Sequence, residues 1–184
     1  MRDPVQPLVI VPCGGRKLST PAPAGEIYTG SYHVACRRAA AALADPDRIL
    51  ILILSALYGL LRLDRVIAPY DLQMGQPGSI GRAELLHQAE QLDLVDERQV
   101  IVLAGAAYTA AARQVWRHAT APLAGVGGLG RHLARLAEIR RNGTLAESRI
   151  ALMAIQPASL GKSLLARRRS SSASDCWRPT SGPC

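Results

Sequence analysis

Short runs of β-branched residues and leucine alternate along the chain with segments whose apolar positions recur every three or four residues. Residues 8–11 are apolar throughout and stop at Pro12, Cys13, Gly14 and Gly15, the form of a buried strand that breaks into a tight turn. After a loop rich in Pro and Ala, Ser31 is placed to cap a helix through about residue 43, which Asp45 and Pro46 end. Residues 48–54, apolar after Arg48, predict the next strand. Beyond a loop holding Pro69 and Pro77, Ile80, Leu85, Leu86, Ala89 and Leu92 fall at helical spacing from Ser79 onward. Residues 100–103 predict a third strand, and residues 106 to about 118 another helix. Gly125 to Gly130 then lead into a basic helix from about 131 to 141.

Strands that are apolar on both faces, separated by helices, predict a mostly parallel central sheet covered on both sides, a three-layer α/β/α sandwich. In such sheets the ligand crevice lies beyond the carboxyl ends of the strands, so the loops after Val11, Leu54 and Leu103 are expected to converge. Residues 149–155 are a candidate further strand. Beyond Pro157 no periodicity supports a core, which divides the chain into one α/β domain, 1–155, and a basic, Ser- and Arg-rich tail, 156–184, expected to be disordered.

Composition narrows the function classes. The chain has 184 residues and is 48% hydrophobic, and the longest apolar run, 49–61, is well short of the ~20 residues that span a bilayer. The sequence opens without a secretory pattern, and Cys13, Cys36, Cys176 and Cys184 form no close-spaced framework, which predicts a cytoplasmic protein with free thiols and no membrane partner. No CxxC pair or HExxH motif is present, so no metal and no cofactor is expected. The formal charge is +8 and is carried almost wholly by arginine, since Lys17 and Lys162 are the only lysines. Arginine suits bidentate phosphate contacts, although a GC-rich coding bias produces the same excess. In the tail, Lys162, Arg167, Arg168, Arg169 and Arg178 face only Asp175, a density suited to a nucleic-acid backbone or to a solvated tail.

Candidate chemistry gathers in the loops after the strands. There is no Phe, and the five tyrosines, Tyr28, Tyr32, Tyr58, Tyr70 and Tyr108, all lie in or just beyond the segments that follow the strands. A phenol can stack on a nucleobase while its hydroxyl makes a directed hydrogen bond; alternatively the rings fill the half-buried rim of the sheet. Gly14 and Gly15 let backbone amides approach a ligand, and Arg16 and Lys17 follow at once, which suggests an anion-binding nest for phosphate or carboxylate. The GxxxxGK[ST] spacing is missing, so a nucleotide-hydrolysing P-loop is excluded. Cys13 is either a thiolate favoured by those cations or a small buried residue at a strand end. Asp71, beside Tyr70, is the best general-base candidate, with a turn cap as the plainer role. Ser55 lacks a GxSxG elbow, so it is assigned to binding rather than attack. Gly125, Gly127 and Gly130 fit GxGxxG, and Arg131 and His132 follow, which allows a phosphate clamp or a tight connector. No complete βαβ unit precedes them to make a dinucleotide fingerprint.

The ordered series PCGGRK (12–17), IYTGSY (27–32), LSALYGLL (54–61), APYD (68–71), LAGAAY (103–108) and PLAGVGGLGRH (122–132) resembles a bacterial and phage domain family of unknown function, distantly similar to the YaaA peroxide-stress proteins. The resemblance implies an α/β domain near the uracil-DNA-glycosylase-like fold and to 7-deazaguanine modification. The GxDPYH and HPSP motifs of the glycosylases are absent, so no catalytic residue is carried over from them.

Together these features lead to an expected nucleotide or nucleic-acid base-processing enzyme that cleaves or exchanges an N-glycosidic bond. Asp71 and Tyr58 would be catalytic. Cys13, Gly14, Gly15, Arg16, Lys17, Tyr28, Ser31, Ser55, Tyr70, Tyr108 and Arg131 would bind phosphate or substrate. The alternatives are a non-catalytic DNA-binding or stress-response protein, and a transferase acting on a phosphorylated metabolite. Oligomeric state is left open.

Overall fold

The computed structural model describes residues 7–43 and 50–142. In chain order the elements are β1 (Leu8–Pro12), β2 (Ala22–Pro23), α1 (Ala24–Ile27), α2 (Ser31–Leu43), β3 (Leu50–Ser55), β4 (Gly59–Leu61), β5 (Val66–Ile67), α3 (Arg82–Gln91), β6 (Val100–Val102), α4 (Ala106–Arg113) and α5 (Leu129–Arg141). The main sheet has the order β4-β3-β1-β6, with β1 parallel to both β3 and β6 and β4 antiparallel at one edge.

Strand alternation divides the core. Val9, Val11, Ile53 and Ile101 face α2 and α5, where Cys36, Ala39, Ala40, Leu43, Leu136 and Ile139 cover them. Leu8, Ile10, Leu52, Leu54, Val100 and Val102 face the opposite way, toward α3, α4 and the fully buried Trp116. Both faces of β1 are therefore apolar, as a central parallel strand requires. The result is an α/β sandwich with a central, mostly parallel sheet, and no helix among the described residues is long and apolar enough to cross a membrane.

From β1 the chain crosses to β3 on one side and later returns to β6 on the other. The carboxyl end of β1 is thus the point where successive connections diverge, which is where open α/β sheets leave a crevice.

Several local expectations need correction. Ser31 is the first residue of α2 rather than its cap, and Val34 N donates back to Gly30 O. The helix from residue 106 ends at Arg113, not near 118, because the chain turns to seat Trp116, whose indole N–H donates to Leu94 O at 2.8 Å. The helix expected from Ser79 begins at Arg82, with the Glu84 carboxylate accepting the Gly81 N–H at 3.0 Å. The basic helix starts two residues early, at Leu129, and the third strand ends at Val102. The antiparallel β4 and the β2–β5 pair have too few residues to show a period. Residues 48 and 49 of the second strand, the 149–155 strand, the boundary at 155 and the tail lie outside the described residues.

Candidate functional site

The loops after β1 and β3 are held together by a backbone clasp. Ala24 N donates to Arg65 O and Gly25 N to Leu63 O, each at 2.8 Å, while β2 pairs with β5. Within the first loop, Leu18 N donates to Ile27 O at 2.8 Å and Lys17 bridges to Tyr28. This clasp brings Tyr28, from the first loop, against Tyr70, from the second, although 42 residues separate them.

The hydroxyls of Tyr28 and Tyr70 are 3.0 Å apart, and Tyr70 Oη is 2.7 Å from Ser55 Oγ. Ser55 is fully buried at the end of β3, and its Oγ also accepts the N–H groups of Leu57 and Tyr58, at 3.2 and 3.0 Å. Tyr58 packs edge-on against Tyr70, with ring centroids 5.4 Å apart at 87°. Lys17 Nζ stands 4.1 Å from the Tyr70 centroid and 5.7 Å from that of Tyr28, a cation over aromatic faces. Below them Cys13 Sγ and Tyr108 Oη share a hydrogen bond of 3.0 Å, which joins the end of β1 to the first turn of α4.

Burial governs the acid–base state of this cluster. It pushes the Tyr28 phenol up to about 12, and it raises Tyr70 and Tyr108 further, with charge on the Cys13 sulfur adding to both. The phenols are therefore neutral donors and acceptors at physiological pH, and Lys17 is the cation seated over them. Ser55 and Tyr28 are buried, while Lys17, Tyr58 and Tyr70 are part-exposed, so the side chains that can meet a ligand are two aromatic rings, one phenol hydroxyl and an ammonium, a set suited to a planar ring with an anionic group.

Two histidines support this wall from behind. His33 is 1% exposed, and its Nδ1–H donates to Pro12 O at 2.7 Å, which fixes the last residue of β1; its Nε2 is buried without a partner. Burial lowers the His33 pKa to about 4, so the ring is neutral. His132 Nε2–H donates to Val126 O at 2.7 Å, which leaves Nδ1 to accept from Tyr32 Oη at 3.0 Å. This bridge pins the 125–130 glycine loop and the start of α5 to the start of α2.

Of the residues singled out from the sequence, Cys13, Lys17, Tyr28, Ser55, Tyr58, Tyr70 and Tyr108 come together. Gly14 is buried against Tyr28 and His33, and Gly15 is exposed, its carbonyl 3.4 Å from Lys17 Nζ. Arg16 is exposed beside Gly30. Asp71 is exposed, next in the chain to Tyr70, and its carboxylate makes no hydrogen bond among the described residues. Ser31 and Arg131 lie apart from the cluster, at the starts of α2 and α5. Sequence reasoning missed His33 and Gln88. Gln88 Oε1 accepts Leu60 N–H at 2.7 Å and its Nε2 donates to Tyr58 O at 3.1 Å, which clamps the turn that carries Tyr58. The helical spacing of α3 shows its apolar face but gives no sign that Gln88 reaches this turn. Among the described residues, no group of three or more His, Cys, Asp or Glu side chains is arranged to hold a metal ion.

Residues 8–138 match DUF6884, a family of unknown function, a span that takes in every element from β1 through most of α5. No curated protein and no solved structure matches the chain.

Proposed function

We propose that this chain, which belongs to the DUF6884 family, processes the base of a nucleotide or nucleic acid by cleaving or exchanging its N-glycosidic bond. The observation that carries this reading is the joined hydroxyl array of Ser55, Tyr70 and Tyr28 with Lys17 over the Tyr70 ring. In this scheme the base lies against Tyr58 and Tyr70, with a polar edge atom meeting the Tyr70 hydroxyl, which Ser55 and Tyr28 orient from behind. A phosphate takes Lys17, the Gly15 amide and Arg16. Asp71 directs water to the anomeric carbon. The new C–O bond forms as the C–N bond breaks; the base leaves with the bonding electrons and takes a proton from solvent, and Asp71 takes the proton of the attacking water. The neutral phenols suit the leaving base because they donate to a developing negative charge without adding any.

One feature favours a second reading, binding without turnover: Asp71 is exposed and no hydrogen bond from the described residues fixes its carboxylate. On this reading the distant resemblance of the ordered motif series to YaaA-type peroxide-stress proteins is taken to imply a protective role on DNA.

The test is incubation with a panel of oligonucleotides and free nucleotides, read by mass spectrometry for released base. Turnover that Asp71→Asn abolishes and Asp71→Glu partly keeps supports cleavage. Binding unaffected by Asp71→Asn, with no base released from any substrate, supports the second reading. No binding to any member of the panel removes both.

A further inference from the structure

Helices α2 and α5 lie side by side on one face of the sheet, with their amino ends joined through Tyr32 and His132. Between them runs a groove of about 220 Å³. Its lining repeats one spacing on both helices: Ser31, Val34, Ala35 and Arg38 from α2, and Leu133, Leu136, Ala137 and Arg140 from α5. Residues at i, i+3, i+4 and i+7 share a helix face, so each helix contributes an apolar floor that ends in an arginine. Because the amino ends are adjacent, Arg38 and Arg140 fall at the same end of the groove. At about 1.5 Å rise per residue they stand about 10 Å beyond Ser31.

The other end of the groove, at Ser31, lies toward the loop that carries Arg16. Ser31 follows Gly30, which lies against Arg16, and Arg16 O accepts the Thr29 N–H at 3.0 Å. Arg131 sits exposed in the first turn of α5. Arg16, Arg131, Arg38 and Arg140 are all exposed cations, carried by the first loop and by the two helices that form the groove.

Charge is divided unequally between the two faces. The α2 segment has no acidic residue, and on α5 Glu138 is the only one, already engaged by Arg135. The opposite face, from α3 to α4, sets Glu84, Glu90, Asp93, Asp96 and Glu97 against Arg82, Arg98 and Arg113, an excess of acid. A basic face of this kind, with arginine heads exposed and Arg38 and Arg140 without a carboxylate partner among the described residues, complements a polyanion whose charges recur along its length.

We propose that the α2–α5 groove is the track for the backbone of a single-stranded nucleic acid whose reactive base sits among the tyrosines. Arg38 and Arg140 hold a phosphate beyond the one at Lys17, and the apolar floor receives sugar or base faces between them. The proposal rests on the reading of the tyrosine cluster as a base site, and it names a polynucleotide rather than a free nucleotide as the substrate.

The experiment measures anisotropy of a fluorescent oligothymidylate across roughly 50 to 200 mM salt, with the full chain and with Arg38→Gln/Arg140→Gln. The double variant is expected to lose about tenfold in affinity at low salt and to flatten the log–log salt slope by about 0.7, the share of one phosphate contact on a single strand. Arg98→Gln, an exposed change on the acidic face, is expected to leave both unchanged, and thermal melts of all variants check folding. Three results overturn the proposal: the double variant binds like the parent; it weakens no more than Arg98→Gln does; or the parent self-associates through this face, shown by sedimentation, and the double variant dissociates it. A loss confined to the oligonucleotide, with no base release from any substrate, keeps the track and removes the reaction proposed above. Base release from free nucleotides with no gain in affinity for oligonucleotides keeps the reaction and removes the track.

Discussion

Ser55 Oγ lies 2.7 Å from Tyr70 Oη while accepting two backbone N–H groups, so the serine proton is directed to the phenol. The Tyr70 oxygen is thereby an acceptor toward Ser55, and its own proton is free to point at Tyr28 or at a ligand. Ser55 thus sets the polarity of the array from a position that no ligand needs to touch.

Removing that hydroxyl should be costly. Ser55→Ala leaves the Leu57 and Tyr58 amides without their buried acceptor, and a loss of about 2 kcal/mol is expected in urea unfolding. Tyr70→Phe keeps those two hydrogen bonds and should cost about 1 kcal/mol, while weakening any ligand that depends on the phenol. Equal losses for the two variants would contradict the role of Ser55 Oγ as the buried acceptor of both amides.

Acid should weaken the fold through His33. Its pKa falls from 6.5 to about 4 on burial, so the unfolded chain binds this proton more readily than the folded one. The stability it confers is complete above about pH 6.5 and declines as the pH drops toward 4, by up to about 3 kcal/mol. Urea titrations at stepped pH should show this slope. A His33→Gln variant, lacking the titrating group, should be less stable at pH 7 but flatter between these limits.

Alkali acts on the phenols in the opposite pH range. Burial raises Tyr28, Tyr32, Tyr70 and Tyr108 above the ordinary value of 10, so unfolding releases protons there and stability falls as pH climbs past 10. Ultraviolet titration should show ionised phenol rising later in the native protein than in the denatured chain. Tyr28→Phe should remove one of the late-titrating groups.

The turn carrying Tyr58 depends on a glycine. Gly59 has φ of +74°, and a Cβ there would collide with the Gln88 amide and Ile80 Cδ1. Gly59→Ala is expected to destabilise by about 2 to 3 kcal/mol, more than the strain of a left-handed residue alone. Gln88→Leu, which removes the clamp on Leu60 N and Tyr58 O, should lower stability and loosen Tyr58 together, read as a rise in Tyr58 solvent accessibility to iodide quenching or oxidative footprinting.

Much of the frame was legible because it is repetitive. The runs at residues 8–11 and 100–103 are apolar at every position, which only a doubly covered strand needs, and the alanine-rich spacing of α2 marks a helix pressed on the sheet. The β2–β5 pair was illegible, since two residues per strand hold no period. The end of the helix at Arg113 was hidden as well, because what stops it is a tertiary contact, the Trp116 indole reaching Leu94 O across 22 residues.

By itself the sequence determined the order of strands and helices and the rim on which polar residues gather, because burial on one or two faces writes its period into neighbouring residues. It also marked Cys13, Lys17, Ser55 and the tyrosines by type. Only the tertiary structure decided which of these meet: Tyr28 with Tyr70, Cys13 with Tyr108, Lys17 over an aromatic face, and Arg38 alongside Arg140. Those pairings join residues far apart in the chain through loop clasps and helix packing. Such contacts are set by long-range geometry and leave no local pattern for a sequence to display.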